Sequence, residues 1–243
     1  PNDFFQTGYN TQNTVSVASS SERSQSFVSA GSVNSRGIIP NNEYSRYNFT
    51  IRHGRELVKD KLELDTDFFF TKSESQNGVA QGLYNPLLPV YLFPPSENFE
   101  RLKTYEIYDS GRNFATMYWP YSNTGLDALS QNPYWITNRI RSKSLRNRVM
   151  ASLSADWKVN GWLRIRARGN VDHIDDKVRQ RFYASTAPAL AGNNGRYIES
   201  GYSKTLFNGE ALALFDRRFT PDWTFSATVG VSLNDRTVNS LRI

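Results

Sequence analysis

The 243 residues are 38% hydrophobic, 14% aromatic and 21% charged, with 29 basic against 23 acidic side chains and a formal charge of +6. Zero cysteines exclude disulfide frameworks, thiolate zinc sites and thiol nucleophiles, and the two histidines, His53 and His173, lack any metal-ligand spacing. The aromatic share argues against disorder, and no run of ~18 apolar residues provides a transmembrane helix; a membrane barrel stays open, because its strands meet lipid on one face alone.

The chain starts at Pro1 with no initiating Met and no signal-peptide core, which predicts an excised, processed or incomplete piece. Alternation of apolar and polar residues then predicts strands near 13–20, 25–34, 44–53, 60–73, 145–157, 162–173, 203–218 and 223–236. Val15 and Val17 mark the first. In the second, Phe27, Gly31 and Val33 share one face while Val28 and Ala30 blur the other. Tyr47, Phe49 and Ile51 oppose Arg46, Asn48, Thr50 and Arg52 in the third, and Leu62, Leu64, Phe68 and Phe70 oppose Lys61, Glu63, Asp65 and Asp67 in the fourth.

The fifth sets Val149, Ala151, Leu153 and Ala155 against Arg148, Ser152, Ser154 and Asp156. The sixth sets Leu163, Ile165, Ala167 and Val171 against Arg164, Arg166, Arg168, Asn170 and Asp172. The seventh is ambiguous, because Leu212 and Leu214 compete with Ala211, Ala213 and Phe215. In the last, Phe225, Ala227, Val229, Val231 and Leu233 form a clean apolar row.

These strands mostly reach ten residues or more, whereas soluble strands average about five or six and tilted membrane strands need roughly nine to eleven. Short turns at 21–24, 54–59, 158–161 and 220–222 alternate with longer connections at 35–43, 74–144 and 174–202. Antiparallel order puts all the short turns at one end. Trp157, Trp162, Phe219 and Trp223 flank that end, as a periplasmic-side aromatic girdle would. The fold expected is therefore all-β: an antiparallel transmembrane β-barrel or part of one. A soluble antiparallel sheet with one solvated face shares the alternation.

The motif Asp3-Phe4-Phe5-Gln6-Thr7-Gly8 followed by Asn13-Thr14-Val15-Ser16-Val17, then Gly37-Ile38-Ile39-Pro40-Asn41, then Asn85-Pro86, Leu92-Phe93-Pro94 and Gln131-Asn132-Pro133-Tyr134-Trp135, resembles in order the SusC/RagA-type TonB-dependent outer-membrane transporters of the Bacteroidetes. Ala18-Ser19-Ser20 departs from the Ser-Gly-Gly usual there. The resemblance runs from Asp3 to about Asn234. It implies a fragment of about eight strands of a 22-stranded barrel, with 1–12 as plug-to-barrel linker and start of barrel, 13–243 as barrel segment and 74–144 as a long extracellular loop. It further implies import of an oligosaccharide or oligopeptide with a SusD-like lipoprotein as lid. TonB would act through a plug region absent from this segment, and outer-membrane lipid would surround the barrel. The alternatives are a complete eight-stranded outer-membrane barrel and a soluble carbohydrate-binding β-sandwich.

Arg164, Arg166, Arg168 and Asp172 are the lumen-facing polar candidates, since unpaired charges on successive positions would be ruinous in a packed core. The loop carries Tyr91, Phe93, Tyr105, Tyr118, Trp119, Tyr121, Tyr134 and Trp135. Of these, Tyr91, Tyr118, Trp119, Tyr134 and Trp135 are candidates for partner or substrate contact, or for folding the loop onto the barrel mouth. Asp172, Asp175 and Asp176 read as a solvated loop mouth neutralised by Arg179 and Arg181. No nucleotide, Walker or Gly-x-Ser-x-Gly motif occurs, so no catalytic residue, metal, cofactor or nucleic-acid partner is expected.

Overall fold

The computed structural model describes residues 2–78, 81–120, 131–187 and 191–243. Eight long strands form one antiparallel sheet: β1 (Tyr9–Ser21), β2 (Ser24–Arg36), β3 (Glu43–Val58), β4 (Leu62–Gln76), β7 (Ile140–Lys158), β8 (Leu163–Phe182), β9 (Arg196–Thr220) and β10 (Trp223–Arg242). Each pairs with its neighbour in that order, and among the described residues β1 and β10 do not pair. The sheet stays open, which removes the complete eight-stranded barrel as a description of this chain. Among the described residues no second sheet packs across its face either; the other sheet is a two-stranded hairpin in the 77–139 connection. Phe225, Val229 and Leu233 are 56%, 64% and 61% exposed, so the sandwich reading falls with the missing second layer.

Register explains the two faces. Val15 and Val17 pair with Ala30 and Val28, these with Phe49 and Ile51, and these with Phe70 and Phe68. The row continues through Val149 and Ala151 to His173 and Val171, and ends on Phe207. Side chains two apart share a face, so one side of the sheet carries a continuous apolar band. Here the second strand corrects the sequence reading: Val28 and Ala30 join the band, while Phe27, Gly31 and Val33 lie opposite. The ambiguous seventh strand is resolved the same way. Ala211 and Ala213 sit beside Ala167 and Ile165 in the band, and Leu212 and Leu214 sit beside Arg166 and Arg164 on the polar face.

Several strands run well past the alternating stretches. β7 begins at Ile140 rather than 145, β8 continues to Phe182 rather than 173, and β9 opens at Arg196 rather than 203. Beyond the band both faces are hydrophilic, so alternation vanishes while the ladder of hydrogen bonds continues. The connections shrink accordingly to 37–42, 77–139 and 183–195. The expected turn at 54–59 lies instead at 59–61, where Asp60 takes a φ of 56°; Gly54 is inside β3 opposite Asp65.

The packed core sits at the long-connection end, outside the sheet. There the described residues of 77–139 fold into a cap containing α1 (Leu87–Tyr91), the small hairpin β5 (Glu106–Asp109) and β6 (Phe114–Met117), and α2 (Pro133–Arg139). Phe4, Ile39, Val90, Phe93, Phe99 and Leu102 are its buried centre. Gln6 donates from Nε2 to the carbonyls of Gly37 and Ile39. Residues 2–6 are thus anchored at the cap, and β1 opens three residues later at Tyr9.

Candidate functional site

The polar face is a wall of paired charges set by register. Arg166 donates from Nε and Nη2 to Oδ2 of Asp156 at 2.9 and 2.8 Å, Arg164 lies 3.4 Å from the same carboxylate, and Arg168 is 2.9 Å from Glu210. Asp172 does not serve these arginines. It accepts two bonds of 2.8 Å from Arg148, and Asp176 accepts two more from Arg146 at 2.6 and 2.7 Å. Asp172, Asp175 and Asp176 therefore lie within β8, not in a loop mouth as the sequence suggested. The guanidinium groups are roughly half exposed, where such pairs contribute about 0–1 kcal/mol each. They make a charged face tolerable next to water more than they stabilise the fold.

One row of this wall was invisible in the sequence. Arg52, Asp67, Ser152, Asn170, Asn208 and Asn234 stand directly opposite one another across six strands. Ser152 donates to Asp67 at 2.9 Å, Asn208 donates to Asn170 at 2.8 Å, and Asn234 donates to Asn208. Arg52 completes the row 3.7 Å from Asp67. The row runs from residue 52 to residue 234, with neighbours up to 85 positions apart in the chain, and pairing alone aligns them. Above this row the face is strongly cationic: Arg46, Arg146, Arg148, Lys204 and Arg236 face Asp172 and Asp176.

At the short-turn end, Trp157, Trp162, Phe219 and Trp223 are all substantially exposed. Trp162 stacks on Phe215 with centroids 6.1 Å apart, and the Arg217 guanidinium lies 5.9 Å from the Trp162 ring and 5.2 Å from that of Phe219. Trp157 continues the apolar face between Leu62 and Ile165, and Trp223 opens β10 opposite Thr220.

The cap sorts the loop aromatics. Trp135 is fully buried and donates from Nε1 to the Thr186 hydroxyl at 3.1 Å, so it ties the cap to the 183–195 connection instead of contacting a partner. Phe93 is buried in the cluster. Tyr134 packs edge-on against Phe4 at 5.3 Å, and burial pushes its phenol pKa up. Trp119 packs on the same cluster, and the Tyr118 carbonyl is held by Asn132. Tyr91, 72% exposed, is the member of the candidate set that stands open. Tyr121 lies outside the described residues.

Asn132 explains why Gln131-Asn132-Pro133-Tyr134-Trp135 forms a fixed node. Its Oδ1 accepts from the Tyr134 amide and caps α2, Pro133 fills the first helical position, and its Nδ2 donates to the carbonyls of Leu102 at 2.9 Å and Tyr118 at 3.0 Å. The far end of α2 is held by Arg139, whose guanidinium pKa is raised by a forked hydrogen bond to Glu106 of 2.7 and 2.8 Å. Asn132→Ala removes the cap and strands two carbonyls, an expected loss of about 2–4 kcal/mol of cap stability. Asn132→Asp keeps the capping acceptor and loses both donors. It should fall between wild type and Asn132→Ala in protease resistance of the 77–139 segment; equal resistance of all three would refute these roles.

No family model and no curated protein matches this chain. Among solved structures, the sheet superposes on a chain of the RagAB peptide importer in its open-open state. The TM-score is 0.67 at 12% identity, over 98% of this chain and 29% of that one. The sheet resembles part of the RagA barrel. A second structure, of the RagAB peptide transporter, gives 0.67 at 13% identity over 96% and 25%, and the closed-closed importer gives 0.62 at 12% over 98% and 29%. The chain thus spans less than a third of these RagAB chains. At such identity the likeness shows the fold: an open antiparallel section of barrel wall with capped connections.

Proposed function

We propose that this chain is a section of the barrel of a TonB-dependent outer-membrane importer of oligomeric nutrients, glycan or peptide, working with a SusD-like surface lipoprotein. One observation carries the reading: a single-layer sheet with a continuous apolar band on one face and a wall of ion pairs and amides on the other. Such a sheet is stable where hydrocarbon meets one side and water the other. The paired charges of Arg164, Arg166, Arg168 and Asp172 then line the lumen. The short turns lie in the periplasm with Trp157, Trp162, Phe219 and Trp223 at the lower lipid boundary, and the cap projects outside with Tyr91 available to a partner.

The chemistry assigned to these residues is binding and passage, with no bond-breaking step. TonB would act through a plug outside them. In the native cell the full-length protein is expected in the outer-membrane fraction. Deleting its gene should abolish uptake of a labelled oligopeptide or oligosaccharide that wild-type cells take up, and a protonophore should abolish it in wild type. A full-length protein that stays monodisperse without detergent, or deletion cells with unchanged uptake of every oligomer tried, would overturn the proposal.

A further inference from the structure

The apolar face changes character abruptly above the band. On that face Arg141 stands directly opposite Arg181, and Lys143 directly opposite Arg179, with Lys177 one step below on β8. Like charges directly opposite in an antiparallel pair repel, so two consecutive such pairs oppose folding unless something anionic joins them. Within the sheet the compensation is incomplete. Glu74 lies 2.6 Å from Lys143 and Glu199 3.0 Å from Arg179, whereas Arg141 donates to the Asn138 carbonyl at 3.1 Å, and among the described residues no salt bridge reaches Arg141 or Arg181. Between them lies a cavity of about 170 Å³, lined by Gln76, Arg141, Ser142, Lys143, Arg179 and Arg181.

Height on the wall restricts the occupant. The top of the band is the row of Phe70 and Val149; Lys177 and Arg181 lie four and eight residues beyond its β8 partner, His173. At roughly 3.3 Å per residue and a strand tilt near 40°, that is about 10–20 Å above the hydrocarbon. Phospholipid headgroups occupy only about 5–7 Å there. The cluster therefore stands level with sugars that project beyond the phosphates of ordinary lipids.

Resting on the membrane reading above, we infer that this cluster binds the phosphate- or carboxylate-bearing saccharide headgroup of an outer-leaflet glycolipid. The arginine forks are suited to bidentate pairing with such groups, and the adjoining band receives the acyl chains. The site is complete within β4, β7 and β8, so it does not depend on strands outside this chain.

The test uses the full-length protein, extracted in mild detergent, and its Arg141→Gln/Arg181→Gln variant. Wild type should co-purify with anionic glycolipid, measured by native mass spectrometry. After delipidation the variant should bind purified lipopolysaccharide roughly thirty-fold more weakly, at about fivefold per surface cation. Because the change relieves repulsion, the heat-modifiable gel mobility of the folded barrel should be retained. A Lys204→Gln/Arg236→Gln control, with equal charge removed from the opposite face, should bind lipopolysaccharide like wild type.

Equal glycolipid on wild type and the Arg141/Arg181 variant would overturn the inference. So would stabilisation by inorganic phosphate as strong as that by lipopolysaccharide, or loss of self-association in place of glycolipid. A protein absent from the membrane fraction would instead sink the importer reading itself, and is seen before any lipid is measured.

Discussion

Trp135→Ala is expected to release the cap while leaving the sheet assembled. The indole is wholly buried, its N–H is engaged by Thr186, and neighbouring Ile136 and Ala187 are buried with it. Truncating a buried Trp costs about 3–5 kcal/mol. Other anchors to the 183–195 connection are polar or cation–π contacts: the Gln131 side chain accepts from the Ala187 amide at 3.1 Å, the Ser185 hydroxyl accepts from the Met117 amide at 2.9 Å, Arg112 donates to the Asn193 carbonyl at 2.9 Å, and Arg139 lies over the Tyr183 ring. Limited proteolysis of the full-length protein should show cleavage within 77–139 in the variant and none in wild type, with barrel gel mobility preserved. Trp135→Phe, which fills most of the volume but leaves the Thr186 hydroxyl without its donor, should show a smaller effect. An uncleaved Trp135→Ala cap would mean that the Phe4–Leu102 cluster and the remaining contacts to 183–195 suffice without the indole.

Val229→Arg should impair outer-membrane assembly, because an arginine facing lipid near the midplane costs about 2–4 kcal/mol. Val229 stands opposite Ala213 in the apolar band and is largely exposed, as a lipid-facing side chain is in a protein viewed without its bilayer. Thr228→Arg, one residue away and opposite Leu214 on the polar face, should assemble close to normally. The assay is the folded, heat-modifiable fraction in purified outer membranes. Similar defects at both positions would contradict the facing assigned to the sheet. A smaller Val229 defect on moving to Leu233→Arg, nearer the band edge, would fit the depth dependence of the cost.

What the sequence made legible was confined to the part of each strand that has to face two media. Val149 to Trp157 and Leu163 to Val171 announce themselves because alternate positions must be apolar. Beyond His173 that requirement ends, and Asp175, Asp176, Lys177 and Arg179 read as loop although their backbones continue the ladder. The second strand misleads for a related reason: Phe27 and Val33 are as apolar as Val28 and Ala30, and only pairing with Val17 and Ile51 shows which set joins the band.

The same limit applies to the site. Arg164, Arg166 and Arg168 were recognisable as a charged face, but the pairing of Arg168 with Glu210 and of Asp172 with Arg148 follows from cross-strand neighbours no local pattern encodes. The Asn170–Asn208–Asn234 row is the extreme case. Among the aromatics, composition could not separate Trp135, which is locked inside, from Tyr91, which stands open. The Asn-Pro start of α2 was the available signal, since a capped helix start marks a fixed node more than a free surface.

The unclosed sheet has a consequence for biogenesis. Along the outer margins of β1 and β10 every second amide and carbonyl points away from its one neighbour, and hydrocarbon offers those groups no substitute partner. Inserted by itself, this stretch would zip onto another copy or precipitate through its margins. On the importer reading proposed above, the margins of β1 and β10 would need hydrogen-bonding partners before they meet hydrocarbon, so the order in which strands pair would matter as much as their sequence.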